Sequence, residues 1–542
     1  MAGLMIAIAN SISSNYVVSG GGFDPDAEAF IVATGTTNPT EQTAINELVL
    51  NLKNANIWTK FNALYPFIGS TATSQKFNLK NPLDTDAAFR LNFVGGWTHS
   101  SSGALPNGTN AYANSFLSTS TIGLNSVHLS YYSRTNSTSG GSDMGALQNS
   151  PNSYTDLALN QTGFACFTRI NSNGAPTSVA NADTRGFYVG NRTASNVLKL
   201  FKNSNIILTS ADVSNATSTR GIFIGGLNNA GTPSFYSNRQ CAFSSIGISL
   251  TDLEAQVFSQ IVEGYQFALS RNINPSQSFY YNRNYSVETN AYLYSTQITD
   301  VTTQGAINTL VSDLKGYGIW TKMKAIYPFA GSTATQQKFN LVNSQDTNAA
   351  FRLTFAGGWT HSSNGALPNG TNAYASTNII PNTHLTNNST HMSYYSRTNT
   401  NILAASFDMG INGSTSASYF DMSLRLSDTF YSDQYNTTTN RLTTANTNST
   451  GFYITSRTTS TSLKSYKNGT QIGSTLTNAS SGFSGLIYGI YIGAINNNNL
   501  NAQFFTNREV ALISIGDGLT DTESANFRTA VQTYQTTLGR QV

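Results

Sequence analysis

The amino-acid sequence predicts a mainly β protein made of two tandem β-sandwich (jelly-roll) domains, each flanked by an N-terminal and a C-terminal helix. The prediction rests on internal repetition, on strand-length patterning, and on composition. Residues 57–79 (IWTKFNALYPFIGSTATSQKFNL) and 319–341 (IWTKMKAIYPFAGSTATQQKFNL) agree at 18 of 23 positions, and residues 86–113 agree with 348–375 at 24 of 28. Repetition over so long a period marks duplicated domains, whereas solenoid repeats span roughly 20–50 residues. Of 542 residues only 10% are charged, while 11% are aromatic, including 27 Tyr and 30 Phe. Aromatic and β-branched residues suit pleated faces, small polar residues suit turns, and this composition does not suit disorder.

The offset between copies grows along the chain, from 262 at Trp58/Trp320 to 263 at Tyr131/Tyr394, 265 at Arg192/Arg457 and 269 at Arg271/Arg540. Small insertions have therefore collected in the second copy, as loops between fixed strands allow. The match starts near Ala29/Ala291. This gives an unduplicated arm (1–27), a first repeat (28–271), a linker (272–289) and a second repeat (290–542).

Each repeat opens with a helix. Pro39-Thr-Glu41 is a start signal, and Ile45, Leu48, Val49 and Leu52 form one apolar face, matched by Ile307, Leu310, Val311 and Leu314. Each also closes with one. Thr251-Asp-Leu-Glu254 and Thr520-Asp-Thr-Glu523 read as capping boxes, followed by the apolar faces Phe258/Val262/Tyr265/Leu269 and Phe527/Val531/Tyr534/Leu538. Between the helices the pattern changes to short strands: residues 88–93, 128–132, 186–189 and 221–225 in the first repeat. Turn chemistry separates them, as at Pro106-Asn-Gly108 and Lys467-Asn-Gly469.

A net charge of +3 without a basic run leaves no electrostatic footprint for nucleic acid. The apolar N-terminus is too short to span a membrane, and the first Lys or Arg is Lys53, so no secretory signal and synthesis in the cytoplasm are expected. The two cysteines, Cys166 and Cys241, occur in the first repeat alone. Their counterparts lie close to Tyr431 and Val510, so a bridge essential to the fold is not expected and both read as buried free thiols.

Leu463-Lys-Ser-Tyr-Lys-Asn-Gly469, Tyr491-Ile-Gly-Ala494 and Ile513-Ser-Ile-Gly-Asp517 resemble the late strands of concanavalin-type, laminin-G-like jelly rolls. The first repeat keeps Phe201-Lys-Asn203, Ile224-Gly225 and Ile246-Gly247 but has Ser204 at the hairpin glycine, which predicts a different turn there. The opening helix, the IWTK…YPF run, the AAFRL.F.GGWTHS…PNGTNAYA run and the SYYSRT strand together resemble a repeat of virion proteins from tailed phages of Bacteroidetes, including crAss-like phages. That resemblance spans both copies and implies a virion structural protein made in the bacterial host cytoplasm: a tail fibre, head fibre or capsid decoration. The implied partners are other virion proteins, further copies of the chain as a homo-oligomer, and a host-surface glycan. Residues 1–27 are the segment expected to reach another chain, with Leu4, Met5, Ile6 and Ile8 as the docking residues.

Concanavalin-type folds include glycosidases, whose two carboxyl groups face each other some 5–10 Å apart. The duplicated acids are Asp84/Asp346, Asp252/Asp521 and Glu254/Glu523; none falls in a Glu-x-Asp-x-x-Glu strand, and Asp86 becomes Asn348. No nucleophile elbow is present, and no catalytic residues are expected. His99/His361 and His128/His391 are too few and too dispersed for zinc and read as hydrogen-bonded structural residues. No resident metal is expected, although laminin-G-like domains admit calcium at a loop rim, where Asp84 and Asp346 are the candidates. The recurrent Arg134/Arg397, Arg192/Arg457 and Arg239/Arg508 read as bridges between strands. The ligand-pocket candidates are Trp97, His99 and Asn107 with Trp359, His361 and Asn369; the competing reading makes both tryptophans core anchors. Two further functions stay open: a carbohydrate-binding adhesin and a glycan depolymerase.

Overall fold

The computed structural model describes residues 22–138, 140–161, 165–273, 280–413, 418–437, 440–482, 485–498 and 501–542. The chain forms two compact units. The first comprises the described residues before Ser204 with those of Ile207–Thr251 and Ile261–Ile273; the second comprises the described residues after Ile273 with Ser204–Ile206 and Asp252–Gln260. Each is a β-sandwich of two sheets.

In the first unit the front sheet runs Asn205–Ser210, Val197–Lys202, Gly186–Ala194, Val127–Ser133, Cys241–Gly247, Gly103–Pro106 and Trp97–Ser100, with Phe61–Tyr65 paired to Cys241–Gly247. Its back sheet runs Val179–Ala180, Ala165–Ser172, Asn152–Gln161, Met144–Asn149, Phe223–Ile224, Tyr112–Asn114 and Asn92–Val94. Hairpin neighbours such as Gly186–Ala194 and Val197–Lys202 alternate with neighbours far apart in sequence, such as Val127–Ser133 beside Cys241–Gly247, as in a jelly roll. The second unit repeats both orders. Thr390–Ser396 and Val510–Gly516 lie at the centre of its front sheet, and Met409–Asn412, Tyr419–Leu426 and Thr429–Asn436 are adjacent in its back sheet.

The core between the sheets holds Leu129, Tyr131, Met144, Leu157 and Ile246 in the first unit and Met392, Tyr394, Met409, Met422 and Ile513 in the second. A second apolar layer lies on the outer face of the second unit's front sheet. There Ile307, Leu310, Val311 and Leu314 of the opening helix Val301–Gly316 meet Tyr395, Phe452 and Leu512, and Phe527, Val531 and Tyr534 of the closing helix Asp521–Thr537 join them. Strands covered on both faces lose their alternation, so Thr390–Ser396 and Val510–Gly516 are buried at every residue. The expected capping box is present at Thr520: its hydroxyl accepts from Glu523 N, and Glu523 Oε2 accepts from Thr520 N at 2.8 Å.

The closing segment of each unit ends in a buried arginine. Arg271 donates to Phe67 O (2.9 Å), Pro66 O (2.8 Å) and Ala242 O (3.0 Å), and its Nε to Gln266 Oε1 (2.6 Å). Arg540 repeats the pattern on Phe329, Pro328, Ala511 and Gln535. Carbonyl dipoles replace a counter-ion around this planar fork.

Several expectations are corrected. Residues 88–93 are not one strand: a 3-10 turn covers Asp86–Ala88, Phe89 takes φ 60°, and the strand is only Asn92–Val94. The 221–225 strand shrinks to Phe223–Ile224. Helices at Pro25–Thr34, straddling the boundary drawn between arm and first repeat, and at Val287–Thr296, straddling that between linker and second repeat, were not anticipated; weakly periodic apolar content hides both. The first hairpin also keeps the turn of the second. Asn203 and Ser204 adopt φ 47° and 72°, Asn468 and Gly469 φ 50° and 82°, so Ser204 accepts the left-handed backbone that glycine takes elsewhere. Cys166 and Cys241 are buried free thiols, and the strand position equivalent to Cys166 holds Phe430 rather than Tyr431.

Candidate functional site

The duplicated Gly-Gly-Trp-Thr-His run forms one end of each sandwich. Gly95 has φ 81°, and a Cβ there would lie 2.2 Å from Asn110 O; at Gly357 the values are 73° and 2.1 Å to Asn372 O. Only glycine fits that approach. The next amide, Gly96 N, donates to Asn110 Oδ1 at 3.0 Å. Asn107 organises the opposing loop. Its Oδ1 accepts from the amides of Thr109, Asn110 and Ala111 at 3.0–3.2 Å, and its Nδ2 donates to Asn110 Oδ1 at 2.8 Å. Asn369 makes the same four bonds. These bonds hold the loop and leave one Nδ2 hydrogen of Asn107 and of Asn369 over.

Trp97 is half-buried. Its Nε1 donates to Val94 O (3.1 Å) and Tyr112 O (3.2 Å), and its ring closes over Gly225, with Phe93 edge-on at 5.2 Å. Trp359 does the same on Ala356, Tyr374 and Gly493. Both tryptophans thus pack against the core between the sheets. His99 Nδ1 lies 2.7 Å from Gln75 Oε1 and His361 Nδ1 2.7 Å from Gln337 Oε1. An amide oxygen only accepts, so Nδ1 carries the proton and Nε2 is left as an acceptor. Partial burial holds both imidazoles below the ordinary histidine value. Of the six sequence candidates, the tryptophans have spent their N–H groups, whereas the histidines keep Nε2 and the asparagines one Nδ2 hydrogen.

Beside this hairpin the structure places a feature that the sequence reading passed over. Phe235 is 53% exposed and Phe504 41% exposed, and both hold a left-handed backbone, φ 49° and 56°. A bulky residue exposed on a strained backbone marks a position held for a purpose other than packing. The loop is held from below. Asp143 is fully buried, and its carboxylate accepts from Arg239 Nη1 (3.0 Å to each oxygen), Ser237 Oγ (2.7 Å) and Leu159 N (2.8 Å). In the second unit Asp408 accepts from Arg508 Nη1 (2.9 and 2.8 Å), Thr506 Oγ1 (2.9 Å) and Leu424 N (2.8 Å). Tyr131 and Tyr394 donate to the carbonyls of Arg239 and Arg508. The amides of Ser142 and Phe407 bind the carbonyls of Phe235 and Phe504 at 2.8 Å. Gly108 and Gly370 bring the asparagine loop alongside, since a Cβ on either would lie 3.1 Å from Asn238 or Asn507 Cβ. The result is a rigid ring face flanked by loop amides, which can stack on an apolar ligand face and hydrogen-bond its rim. The signal for it was present as the paired runs Phe235-Tyr-Ser-Asn-Arg239 and Phe504-Phe-Thr-Asn-Arg508.

The remaining candidates are structural. His128 is fully buried between Ile248 O (2.6 Å from Nδ1) and Ser245 Oγ (3.0 Å from Nε2), and His391 lies likewise between Asp517 O and Ser514 Oγ. A carbonyl stands where a triad would need a carboxylate. Burial pushes both down to about 4. Arg134 and Arg397 donate to the carbonyls of Arg271 and Arg540, and Arg192 and Arg457 each to one back-sheet strand carbonyl (Ile170, Gln434) and one loop carbonyl (Ser195, Ser460). Calcium at Asp84 or Asp346 is not supported. Asp84 is clasped by Lys76 (2.6 Å) and Arg90 (2.9 Å), Asp346 by Lys338 (2.6 Å) and Arg352 (3.1 Å), so each carboxylate already faces two cations. Among the described residues no group of three or more His, Cys, Asp or Glu is placed to hold a metal ion, and no helix is long and apolar enough to cross a membrane. Leu4, Met5, Ile6 and Ile8 lie outside the described residues.

No family model and no curated protein matches the chain. Solved structures similar to it include a sialidase from Streptococcus pneumoniae (12% identity, TM-score 0.21, 26% of this chain and 23% of that one). Domain 4 of an extracellular arabinanase from Geobacillus stearothermophilus, in complex with arabinotriose, is similar at 15% identity and TM-score 0.23, over 37% of this chain and 98% of the domain. A Trypanosoma rangeli sialidase mutant displaying trans-sialidase activity gives 11% identity and TM-score 0.31, over 65% and 52%. The chain thus spans under a quarter of the pneumococcal enzyme and about half of the trypanosomal one. The assignment as a β-sandwich rests on the strand order above.

Proposed function

We propose that the protein is a structural component of a phage virion, a fibre or decoration, that displays two lectin-like sandwiches for attachment to a host-surface glycan. The observation that carries the attachment reading is the exposed, strained phenylalanine, kept in both units over a buried Asp–Arg pair. A planar apolar ring beside amide groups suits a sugar, which offers C–H faces and a hydroxyl rim. Two such tips on one chain raise avidity for a repetitive surface when both engage. The virion placement is supported by the sequence resemblance to phage repeats.

A glycan array tests the attachment reading with the full chain and a Phe235→Ala/Phe504→Ala variant. Specific binding that disappears in the variant, at unchanged thermal stability, is the expected result. Binding indifferent to both phenylalanines, or none to any glycan, would overturn it. Antibody labelling of intact particles tests the virion role, with an unlabelled particle as the contrary result.

A further inference from the structure

The duplication gives each element of one repeat a twin in the other, and some twins differ in what covers them. The second unit includes Ser204–Ile206 and Asp252–Gln260, from the hairpin and the closing helix of the first repeat. Within that unit Gln256 Nε2 donates to Ser295 Oγ (3.0 Å) and Ser344 Oγ (3.2 Å), and Ser295 Oγ donates to Ser344 Oγ at 3.3 Å. Ser204 Oγ donates to Gln256 O (3.1 Å), and Gln345 Nε2 donates to Ser204 O (3.1 Å). Ser204, Gln256, Ser344 and Gln345 are buried, as is Tyr294 next to Ser295. The contact is polar, and its side chains satisfy one another.

Each element of that contact has an uncovered twin. The helix Val287–Thr296 corresponds to Pro25–Thr34 at an offset of 262, Asp252–Ala268 to Asp521–Thr537 at 269, and Asn203-Ser204 to Asn468-Gly469 at 265. Val32, the twin of Tyr294, is 74% exposed against 8%, and Leu83, the twin of Gln345, is 60% exposed against 3%. Ala525 and Thr529 are exposed where Gln256 and Gln260 are buried. The twins also change character together. Ser204, Gln256, Ser295, Ser344 and Gln345 become Gly469, Ala525, Ala33, Pro82 and Leu83, so every polar side chain of the contact is lost. Water alone would favour polar groups at such positions. Matched loss on both sides is what a dry contact requires, because a polar group on one side would be buried without a partner.

We infer that the protein binds a second copy of itself head to tail. Gly469 and the Ala525/Thr529 face of one copy seat on Val32, Ala33, Pro82 and Leu83 of the next. The occupant is another copy because the chain carries the template: the same pairs of elements, in a polar version, already meet within the second unit. An apolar face does not suit the polar set, since it would strand the Gln256 amide and the serine hydroxyls, so the two apolar faces select each other. Charge agrees. Arg528, packed beside Gly469 with its Nε buried and without a hydrogen-bond partner, makes one face positive, and the exposed Glu28 makes the other negative. Because the two faces differ, the contact is heterologous, and a bound pair keeps one face of each kind for further copies.

Sedimentation velocity on the full chain tests this. The parent is expected to form dimers and larger species as its concentration rises. Val32→Asp and Ala525→Asp each put a carboxylate into the contact and should each weaken self-association about a hundredfold or more. An equimolar mixture of the two variants should form a dimer that grows no further, since one intact face of each kind remains. Circular dichroism confirms that each variant is folded, and Leu83→Asp, in a loop, replaces Val32→Asp if that helix is disturbed. A parent that stays monomeric at every concentration would leave these faces to another partner and overturn the inference. So would an Ala525→Asp variant that associates like the parent, or a mixture that stays monomeric.

Discussion

Replacing Asp408 by Asn removes one charge and leaves the shape almost intact. Asp408 and Arg508 are both fully buried, and the carboxylate collects bonds from Arg508, Thr506 and Leu424. Asparagine keeps one acceptor oxygen, turns an NH2 group toward those donors and leaves Arg508 without a counter-charge. One-sided removal of a buried ion pair costs about 3–5 kcal/mol, mostly from the stranded partner. For a unit of this size each kcal/mol lowers the midpoint by about 2–4 °C, so calorimetry should show a fall of roughly 6–20 °C. Affinity for any glycan held by Phe504 should weaken too, because Thr506 and Arg508 fix that loop. Replacing both Asp408 and Arg508 by apolar residues of similar volume should recover much of the loss. A midpoint that moves less than about 2 °C in Asp408→Asn would refute the reasoning, because the pair would then not hold the tip.

Further expectations concern protons, glycine and thiols. Burial holds His128 and His391 near 4 in the folded protein, against about 6.5 when unfolded. The unfolded chain therefore binds more protons between those values. Stability from each neutral histidine is complete above pH ~6.5 and is lost as pH falls toward 4, by about 3 kcal/mol per residue. Urea unfolding at pH 7 and 4.5 should give a smaller difference in His391→Gln than in the parent, and an equal one would contradict this. Glu263, raised by burial to about 7, acts in the opposite sense, losing its contribution as pH rises through 7. Gly469→Ala should cost only about 1 kcal/mol, because φ is 82° but the new Cβ sits 3.5 Å from a flexible Arg528. Gly357→Ala should be far worse, since its Cβ would lie 2.1 Å from a backbone oxygen; equal melting points would contradict the pair. Burial pushes the Cys166 thiol up to about 12, so Ellman's reagent should find no thiol in the native protein and both after denaturation. Rapid native labelling would contradict that.

Features set by local periodicity could be read from the chain. Ile45, Leu48, Val49 and Leu52 announced a helix because its face repeats every three to four residues, and the turn chemistry around Asn468-Gly469 announced a hairpin. Residues 88–93 misled because alternating apolar residues also suit a turn in which Phe89 takes a left-handed backbone to leave its carbonyl for Tyr65. The site was harder to read, since its parts are distant in sequence. Nothing local links Asp143 to Arg239, or distinguishes exposed Phe235 from the buried aromatics. Trp97 read as either a ligand platform or a core anchor, because sequence does not say that Val94 and Tyr112 carbonyls take its N–H. The changes at Gln256/Ala525, Ser295/Ala33 and Ser344/Pro82 were visible as letters, but only the folded chain places the polar three in one contact.

The arginine that ends each unit has a bearing on biosynthesis. Arg271 reaches back to the carbonyls of Pro66 and Phe67 from some two hundred residues downstream, so the first unit stays unfinished until nearly all of it has left the ribosome. Translation at about 5–20 residues per second then gives it many seconds to close before the Thr390–Ser396 and Val510–Gly516 strands of its near-twin exist. Emergence in series guards against exchange of look-alike strands between the copies, a hazard that rises when such a protein is refolded whole from denaturant.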